Sequence, residues 1–267
     1  MSVSKPKSFE DFFYSKNNTI KTVEEVSDYA DKHNNSIDPY DNYMFCPECH
    51  VAKLSFVHKT LQKRAFLRKI PSTKHGRKCS YKYDYASEKT TIEYLTQLQN
   101  HQVKDKVDSM MRLLFKSHNP EDQISNFTGK RSTDFEDNPM TITNISKDNK
   151  VLKSLRRKRF SVWFDKADIN NLYIFYGKVK LKVIKKRKRN KYGKEYIFYN
   201  LNIYTQNKKG DWNYKTSIYR GGWEDRNIQE DKVYKVVAIG KLNFDYGKFP
   251  QIELVNKNKD AFLYKET

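Results

Sequence analysis

Three cysteines and one histidine form the chemically most specific pattern in this chain of 267 residues. Cys46 and Cys49 are separated by two residues and His75 and Cys79 by three, with 25 residues between the two pairs. Zn²⁺ prefers four thiolate or imidazole ligands in a tetrahedron, and a short turn between two cysteines presents both thiolates to one ion. The spacing therefore predicts that these four side chains bind zinc. A site closed by four protein ligands is structural rather than catalytic.

The same cysteines allow other interpretations. His50 and His58 are alternative fourth ligands, although the pairing of His75 with Cys79 mirrors the first pair. A redox Cys-x-x-Cys would need a βαβ context, which the surrounding sequence lacks. Cysteines are also commonly buried without any ligand role. Because an odd number of cysteines leaves one unpaired, a disulfide framework is not expected.

The segment 43–85 resembles the N-terminal cysteine region of the competence CoiA-like nuclease family. The resemblance is carried by Cys46-Pro47-Glu48-Cys49, by the later His and Cys, and by the segments 53–57 and 64–70, which could pair as a hairpin. It implies a small zinc module. It does not extend to the acidic metal ligands and the lysine of that family's nuclease core, which cannot be placed downstream, so nuclease activity is not implied.

Charge is the second strong signal in the sequence. The chain carries 52 Lys and Arg against 32 Asp and Glu, a formal net charge of +20. Residues 1–150 hold 24 basic and 20 acidic residues, whereas residues 151–267 hold 28 and 12. Lysine enrichment caused by an AT-rich genome would be spread evenly, so the C-terminal half has its own reason to be basic. Such a charge predicts a polyanionic partner, nucleic acid before any other.

The C-terminal half has the pattern of a β-domain. Apolar and polar residues alternate, and turn sequences such as Asn207–Asp211 separate the alternating segments. A basic turn is predicted at 185–194. The five predicted strands are 173–184, 195–205, 212–218, 232–242 and 251–255.

The stretch Val233–Leu242, rich in valine and ending in Gly-Lys-Leu, resembles a strand of OB-fold single-strand-binding proteins. The resemblance covers residues 172–256 by strand order. It implies a five-stranded OB-like β-barrel in which bases stack on aromatic side chains while Lys and Arg follow the phosphates. The connection 219–231 is shorter than the helix-containing connection usual in that fold, so an SH3-like or other small barrel is the alternative.

Cations and aromatic side chains around these strands are the candidate nucleic-acid contacts. Two basic runs, 153–159 and 185–191, flank the first strand. A solvated charge run is the alternative interpretation of each, and aromatic residues in strands also belong to cores. The predicted nucleic-acid-binding residues are Arg156, Arg157, Lys158, Arg159, Lys180, Lys182, Lys185, Lys186, Arg187, Lys188, Arg189, Tyr192, Tyr199, Trp212, Tyr214, Arg220 and Trp223.

The remaining segments predict helices and a linker. Residues 22–33 and 87–117 have helical periodicity, the second as one long helix. Residues 119–150 are polar and show little periodicity, which is typical of a linker. The predicted α+β organisation is an N-terminal zinc-ribbon-like module with helices over 1–118, a linker over 119–150 and a basic OB-like nucleic-acid-binding domain over 151–267.

The predicted function is binding of single-stranded nucleic acid, DNA before RNA, with little sequence preference. A protein of replication, recombination or mobile-element defence would be a further partner. The protein is expected to be cytoplasmic, because the N-terminus lacks an apolar signal segment and no run of 18 apolar residues occurs.

No catalytic residue is assigned from the sequence. The acidic residues Asp134, Glu136 and Asp137 fall in the predicted linker, and no phosphate-binding loop or nucleophile motif occurs. Two alternative functions stay open. One is a nuclease with an unrecognised acidic site, for which Glu195 and Asp211 are candidates, and the other is a protein-interaction adaptor.

Overall fold

The computed structural model describes residues 7–116, 138–146, 149–169, 171–245 and 249–267. The chain divides into two compact units. The N-terminal unit comprises Met1–Tyr85 with Lys116–Ser154, and the barrel unit comprises Ala86–Phe115 with Leu155–Thr267. The predicted domain limits assign the helical region 87–117 to the zinc module, whereas nearly all of it belongs to the barrel unit.

Short strands and one helix build the N-terminal unit. The helix α1 (Val23–Lys32) begins after Thr22, whose hydroxyl accepts from the Glu25 N–H while the Glu25 carboxylate accepts from the Thr22 N–H. This helix confirms the prediction for residues 22–33. The strands are β1 (Ser8–Phe9), β2 (Asp11–Tyr14), β3 (Thr19–Thr22), β4 (Met44–Phe45), β5 (Leu54–Val57), β6 (Phe66–Lys69), β7 (Thr141–Ser146) and β8 (Asn149–Ser154). They form the sheets β1-β6-β5 and β3-β2-β4 and the hairpin β7-β8.

Two hairpins of this unit bear on the sequence predictions. Strands β5 and β6 pair antiparallel, with Leu54 opposite Lys69 and Val57 opposite Phe66, which confirms the hairpin between the two ligand pairs. The hairpin of β7 and β8 occupies the C-terminal part of the predicted linker, so that part is ordered into strands. The rest of the predicted linker, residues 119–137, lies outside the described part of the chain.

The barrel unit begins with two helices instead of the single helix predicted over 87–117. Leu98 is extended (φ −83°, ψ 140°) and ends the first helix. Gln99 then caps the second helix together with Gln102, whose side-chain oxygen accepts from the Gln99 N–H. Leu98 and Gln99 are both good helix formers, so neither the residue types nor the apolar periodicity indicated a break between the two helices. The helices are α2 (Glu88–Gln97) and α3 (Asn100–Leu114).

Five strands of this unit close into a β-barrel, as the sequence predicted. The unit's strands are β9 (Arg157–Arg159), β10 (Tyr173–Arg189), β11 (Glu195–Gln206), β12 (Trp212–Gly221), β13 (Val233–Asn243), β14 (Gln251–Leu254) and β15 (Phe262–Glu266). The order around the barrel is β10-β11-β12-β14-β13 and back to β10, and all of these pairs are antiparallel except β12 with β14. The order β13-β10-β11-β12 is that of a Greek key.

The long strand β10 joins the two halves of the barrel. Its residues 173–180 pair with β13 and its residues 180–189 pair with β11. Close packing at the β13–β14 pair requires Gly240, because a Cβ there would lie 2.4 Å from the carbonyl oxygen of Glu253. The barrel core consists of fully buried apolar side chains that alternate along the strands, among them Val179, Leu181, Leu201, Ile203, Ile218 and Val236.

Helix α3 packs against β13 and β15. Its buried residues recur at helical spacing, at Val103, Val107, Met110 and Met111. No helix in the described part of the chain is long and apolar enough to cross a membrane.

Candidate metal centre and nucleic-acid interface

The four predicted metal ligands meet at one point of the N-terminal unit. One sulfur atom from each of Cys46, Cys49 and Cys79 and one ring nitrogen of His75 all lie within 4.8 Å of one another. Cys46 and Cys79 are buried, and the other two residues are half-buried. The prediction that these residues form one cluster able to hold a metal ion is confirmed.

Three of the six distances between ligand atoms match the edges of a tetrahedral zinc site. Cys46 Sγ lies 3.7 Å from Cys79 Sγ, and His75 Nδ1 lies 3.7 Å from Cys49 Sγ and 3.5 Å from Cys79 Sγ. Zinc bonds of about 2.3 Å to sulfur and about 2.05 Å to nitrogen give tetrahedral edges of about 3.8 Å between sulfurs and about 3.5 Å between sulfur and nitrogen. The arrangement is therefore compatible with zinc.

The first two ligands are held by a tight turn with backbone hydrogen bonds. The Cys46 N–H donates to Ala52 O at 2.8 Å, and the His50 N–H donates to Cys46 O at 3.0 Å. The backbone N–H groups of Cys49 and Ala52 donate to the sulfurs of Cys46 and Cys49, respectively. Such bonds orient the thiolates and stabilise their negative charge.

The second ligand pair approaches the first through a glycine. The Cys79 N–H donates to Gly76 O at 3.1 Å, which closes the turn between His75 and Cys79. A Cβ at Gly76 would lie 3.2 Å from Cys49 Cβ. A side chain at this position would therefore be in tight contact with Cys49, and the two turns would have to shift by a few tenths of an ångström to accept it.

Glu48 connects the two ligand turns from within the Cys-Pro-Glu-Cys sequence. Its carboxylate accepts from the Ser80 N–H at 2.5 Å and from the Ser80 hydroxyl at 2.6 Å. It also accepts from Asn138 Nδ2 at 2.7 Å, and the same amide donates to Lys78 O at 2.7 Å. Because Ser80 directly follows Cys79, these bonds fix the second turn relative to the first. The sequence analysis assigned no role to Glu48.

The surroundings act differently on the pKa of each of the three thiols. Hydrogen bonds from Cys46 and Cys79 hold the pKa of Cys49 well below its usual range. Burial raises the pKa of Cys46 to about 12. Hydrogen bonds to the other two cysteines, together with burial, raise the pKa of Cys79 far above its usual range. A bound dication would stabilise the thiolate form of all three cysteines. Metal binding would therefore displace the protons of those thiols that are otherwise protonated.

The alternative histidine ligands lie outside the cluster. The His50 ring stacks on Phe13 with ring centroids 3.8 Å apart and an interplanar angle of 4°, and burial lowers its pKa. The His58 ring lies edge-on to Phe56 at 4.8 Å. Of the three histidines considered from the sequence, His75 is the one in the cluster.

The outer face of β11 and β12 carries two groups of aromatic rings. Because Leu201 and Ile203 fill the core, the residues at 196, 198, 200, 202 and 204 point outward. In the first aromatic cluster, the Phe198 ring centroid lies 6.0 Å from that of Tyr196 and 5.7 Å from that of Tyr219.

The second aromatic cluster lies at the other end of the same face. The Tyr214 ring centroid is 5.8 Å from that of Tyr204 and 5.1 Å from that of Phe249, which belongs to the β13–β14 connection. Next to it, Lys180 Nζ lies 5.4 Å from the centre of the Trp212 ring. The two clusters together line the outward side of β11 and β12.

Strand β10 places cations beside the first aromatic cluster. Lys186 is directly opposite Phe198 and Lys188 directly opposite Tyr196, so these pairs share a face. Residues 185–189 are all exposed. The sequence predicts the basic turn over 185–194, but residues 185–189 belong to strand β10 and the turn itself spans only 190–194. Lys185, Arg187 and Arg189 alternate with Lys186 and Lys188 along β10, so they lie on the opposite side of the β10–β11 ribbon.

The other predicted contacts are distributed more widely. Tyr192, in the turn at 190–194, is 80% exposed and Trp223 is 49% exposed. Trp212 and Tyr214 are half-buried on the outer face, whereas Tyr199 lies on the opposite side of the ribbon with Lys185.

Two predicted cations are engaged in surface ion pairs. Lys182 pairs with Glu230 at 2.8 Å, and Arg189 pairs with Glu195 at 3.0 Å.

Lys158 and Arg220, both predicted to contact nucleic acid, have buried side chains. Lys158 Nζ lies 3.0 Å from Asp168, in a pair whose side chains are 9% and 10% exposed. Arg220 donates two hydrogen bonds to Asp225, at 2.8 and 3.1 Å, and both of these side chains are 5% exposed. Each carboxylate neutralises its cation inside the unit, so neither charge is presented at the surface.

The remaining arginines lie at or near β9. Arg157 and Arg159 belong to this strand, which pairs parallel with β10, and Arg156 precedes it. All three are half-buried, and the Arg159 guanidinium lies 5.6 Å from the centre of the Tyr176 ring. The basic run 153–159 is thus a packed segment.

Sequence reasoning missed Tyr196, Phe198 and Phe249. The alternation of β11 contained the signal, because Leu201 and Ile203 are the apolar set and the even-numbered residues must therefore face outward. Tyr199 shares the odd-numbered face with the core residues. Phe249 could not be placed because its loop conformation has no sequence periodicity.

The acidic candidates for a nuclease site do not come together. Glu195 is the first residue of β11, whereas Asp211 lies beyond its last residue, and this strand of 12 residues spans about 37 Å. Asp134, Glu136 and Asp137 lie outside the described residues. Within the described ranges, the cysteine and histidine cluster is the one group of three or more side chains arranged to hold a metal ion.

Comparisons with protein-family models, with curated proteins and with solved structures found no match to this chain. Its function therefore has to be argued from its own residues.

Proposed function

We propose that this protein binds single-stranded nucleic acid along the outer face of β11 and β12, with little sequence preference. The main observation behind this proposal is that two aromatic clusters lie on one face of the barrel, next to the exposed cations of β10. Each base stacked on an aromatic ring contributes about 1–3 kcal/mol, and cations beside the stack neutralise phosphates.

The topology supports assignment of the barrel to the OB-fold. Five strands close into a barrel that contains a Greek key, which is the OB architecture. In that fold the face of the second and third strands binds oligonucleotides, together with the loops between strands one and two and between strands four and five. Here these are β11 and β12, the turn bearing Tyr192, and the connection bearing Phe249. The connection 222–232 forms turns without a helix, which leaves another small barrel as the alternative.

The function that we propose for the cysteine and histidine cluster is a structural zinc site in a ribbon-like module. Four protein ligands fill a tetrahedron and leave no position for a substrate. The hairpin of β5 and β6 separates the two ligand turns. Zinc would hold these turns together in a unit whose strands are only two to six residues long.

Fluorescence anisotropy of the full chain tests the proposal. Labelled oligo-dT, oligo-U and a DNA duplex of equal length are titrated at several salt concentrations. We expect tighter binding to single strands than to duplex, with binding that persists at about 0.15 M salt because stacking is not screened. A variant with Phe198→Ala and Tyr219→Ala should lose most of this affinity.

The control is Tyr43→Ala in the N-terminal unit. Tyr43 is 39% exposed and lies under Lys16 at 4.1 Å, so it has the same chemistry outside the proposed face. Tighter binding to duplex than to single strands, or equal losses from the control and the double variant, would overturn the proposal.

A further inference from the structure

One polar side chain lies between the two aromatic clusters. Asn200 follows Phe198 on the outward side of β11, and its strand partners are Ile184 on β10 and Tyr219 on β12. It is 8% exposed. Among the residues that the structure describes, none provides a hydrogen-bond partner for the buried Asn200 Oδ1.

This unsatisfied oxygen is unfavourable for the barrel itself. A buried acceptor without a donor costs free energy, and an apolar side chain of similar size would avoid that cost. Its outward neighbours are rings that we assign to base stacking. An acceptor recessed at this position is suited to a donor that arrives with a ligand.

We propose that Asn200 Oδ1 accepts a hydrogen bond from the exocyclic amino group of a base bound between the two aromatic clusters. This inference rests on the proposed function and specifies a base preference within it. Cytosine N4, adenine N6 and guanine N2 are such amino groups, and those of cytosine and adenine occupy the position of the O4 of thymine or the O6 of guanine. Thymine and uracil have the oxygen O4 where cytosine has its amino group, which would set two acceptors against each other. The site therefore prefers cytosine or adenine over thymine or uracil.

The test compares oligo-dC with oligo-dT, because both bases are pyrimidines and differ little in stacking area. Anisotropy titrations of the full chain at pH 7.5 and fixed salt give the ratio of the two Kd values. We expect oligo-dC to bind about fivefold more tightly, the effect of one net hydrogen bond. Asn200→Leu should abolish this preference without lowering the Tm, because it removes an unsatisfied buried acceptor.

Two further variants complete the test. Asn202→Leu changes the next outward residue of β11 and should leave the ratio unchanged. Asn200→Asp keeps an acceptor at the same position, so it should weaken binding to both oligonucleotides through charge repulsion while preserving the ratio.

The outcomes separate this inference from the proposed function. Tight but equal binding of oligo-dC and oligo-dT, or a preference that survives in Asn200→Leu, overturns the role of Asn200 and leaves single-strand binding intact. Failure of the unmodified protein to bind any single strand overturns both.

Discussion

The cysteine and histidine cluster and the outer face of the barrel differ in how their side chains are arranged in space. In the cluster, four side chains converge on one point, with sulfur and nitrogen atoms within 4.8 Å, and Glu48 ties the ligand turns together. On the outer face, the cations of β10 and the rings of β11 and β12 are spread along three neighbouring strands. Side chains that surround one point select an ion of defined size and geometry. Rings and cations repeated along neighbouring strands suit a polymer, because its bases and phosphates also repeat.

The cations of the barrel unit show the same contrast. The side chains of Arg220 and Lys158 are buried and paired with the carboxylates of Asp225 and Asp168, so their charges are neutralised inside the unit. Residues 185–188 are exposed along the ribbon, where their charge can act on a partner, whereas the exposed Arg189 pairs with Glu195. Residue type alone does not separate the two groups, since burial and pairing decide which cations are available.

The largest expected effect is loss of the metal. His75→Ala should eliminate tight zinc binding and unfold the N-terminal unit, because structural zinc contributes on the order of 10 kcal/mol to small metal-dependent folds. Mass spectrometry of bound metal and circular dichroism measure the two consequences. Acidification should also release the ion, since protons compete for the thiolates and the imidazole.

His58→Ala is the matched control, because His58 packs against Phe56 outside the cluster. It should retain one zinc ion per chain. If His75→Ala keeps its metal while His58→Ala loses it, the assignment of the fourth ligand is wrong.

A smaller effect is expected from breaking the buried ion pair of the barrel unit. Arg220→Ala leaves Asp225 buried without its partner, which should cost about 3–5 kcal/mol of unfolding free energy. Arg187→Ala, at an exposed position of β10, should change it by less than about 0.5 kcal/mol. Urea denaturation of both variants measures the difference. Equal stability of the two variants would contradict the structural role of Arg220.

Glu48 tests whether the metal centre depends on residues that are not ligands. Glu48→Ala removes the acceptor of Ser80 and Asn138, which should cost about 2 kcal/mol of stability. Zinc affinity should fall about 10–100-fold, the usual effect of a residue that orients ligands. Competition with a chromophoric chelator gives the affinity. The stoichiometry should remain one ion per chain, and its loss would make Glu48 a ligand in its own right.

Features encoded by short-range chemistry could be predicted from the sequence. The four metal ligands lie within 34 residues, and few functions require that spacing of Cys and His. The five barrel strands follow from alternation, because one side of each strand faces the core. The helix at 22–33 has a capping sequence at its start.

Features decided by tertiary contacts could not be predicted in this way. The interruption at Leu98 and Gln99 has no breaker residue. The burial of Lys158 and Arg220 depends on Asp168 and Asp225, whose positions follow only from the folded chain. The bridging role of Glu48 is of the same kind, because Asn138 is 90 residues away.

On the outer face of the barrel, the aromatic rings should contribute more to binding than any single cation. Phe198→Ala should weaken single-strand binding by about 1–3 kcal/mol at fixed salt and leave the slope of log K against log salt unchanged, since stacking releases no counterions. Tyr43→Ala should have no effect on either quantity. A change of slope in Phe198→Ala would indicate that the ring acts by positioning neighbouring lysines instead of by stacking.

The smallest effect is expected from the lysines opposite these rings. Lys186→Gln with Lys188→Gln should make the salt slope less steep by about 1.4, because each phosphate contact to a single strand contributes about 0.7. The exposed Lys63 and Lys74 of the N-terminal unit provide a control with the same loss of charge. If both double variants reduce the slope equally, the protein's net charge attracts nucleic acid without a defined path. If only the β10 pair does so, the phosphates pass beside Phe198 and Tyr196. The nucleic-acid backbone then follows one defined path on the outer face, although the side chains there do not converge on a single point.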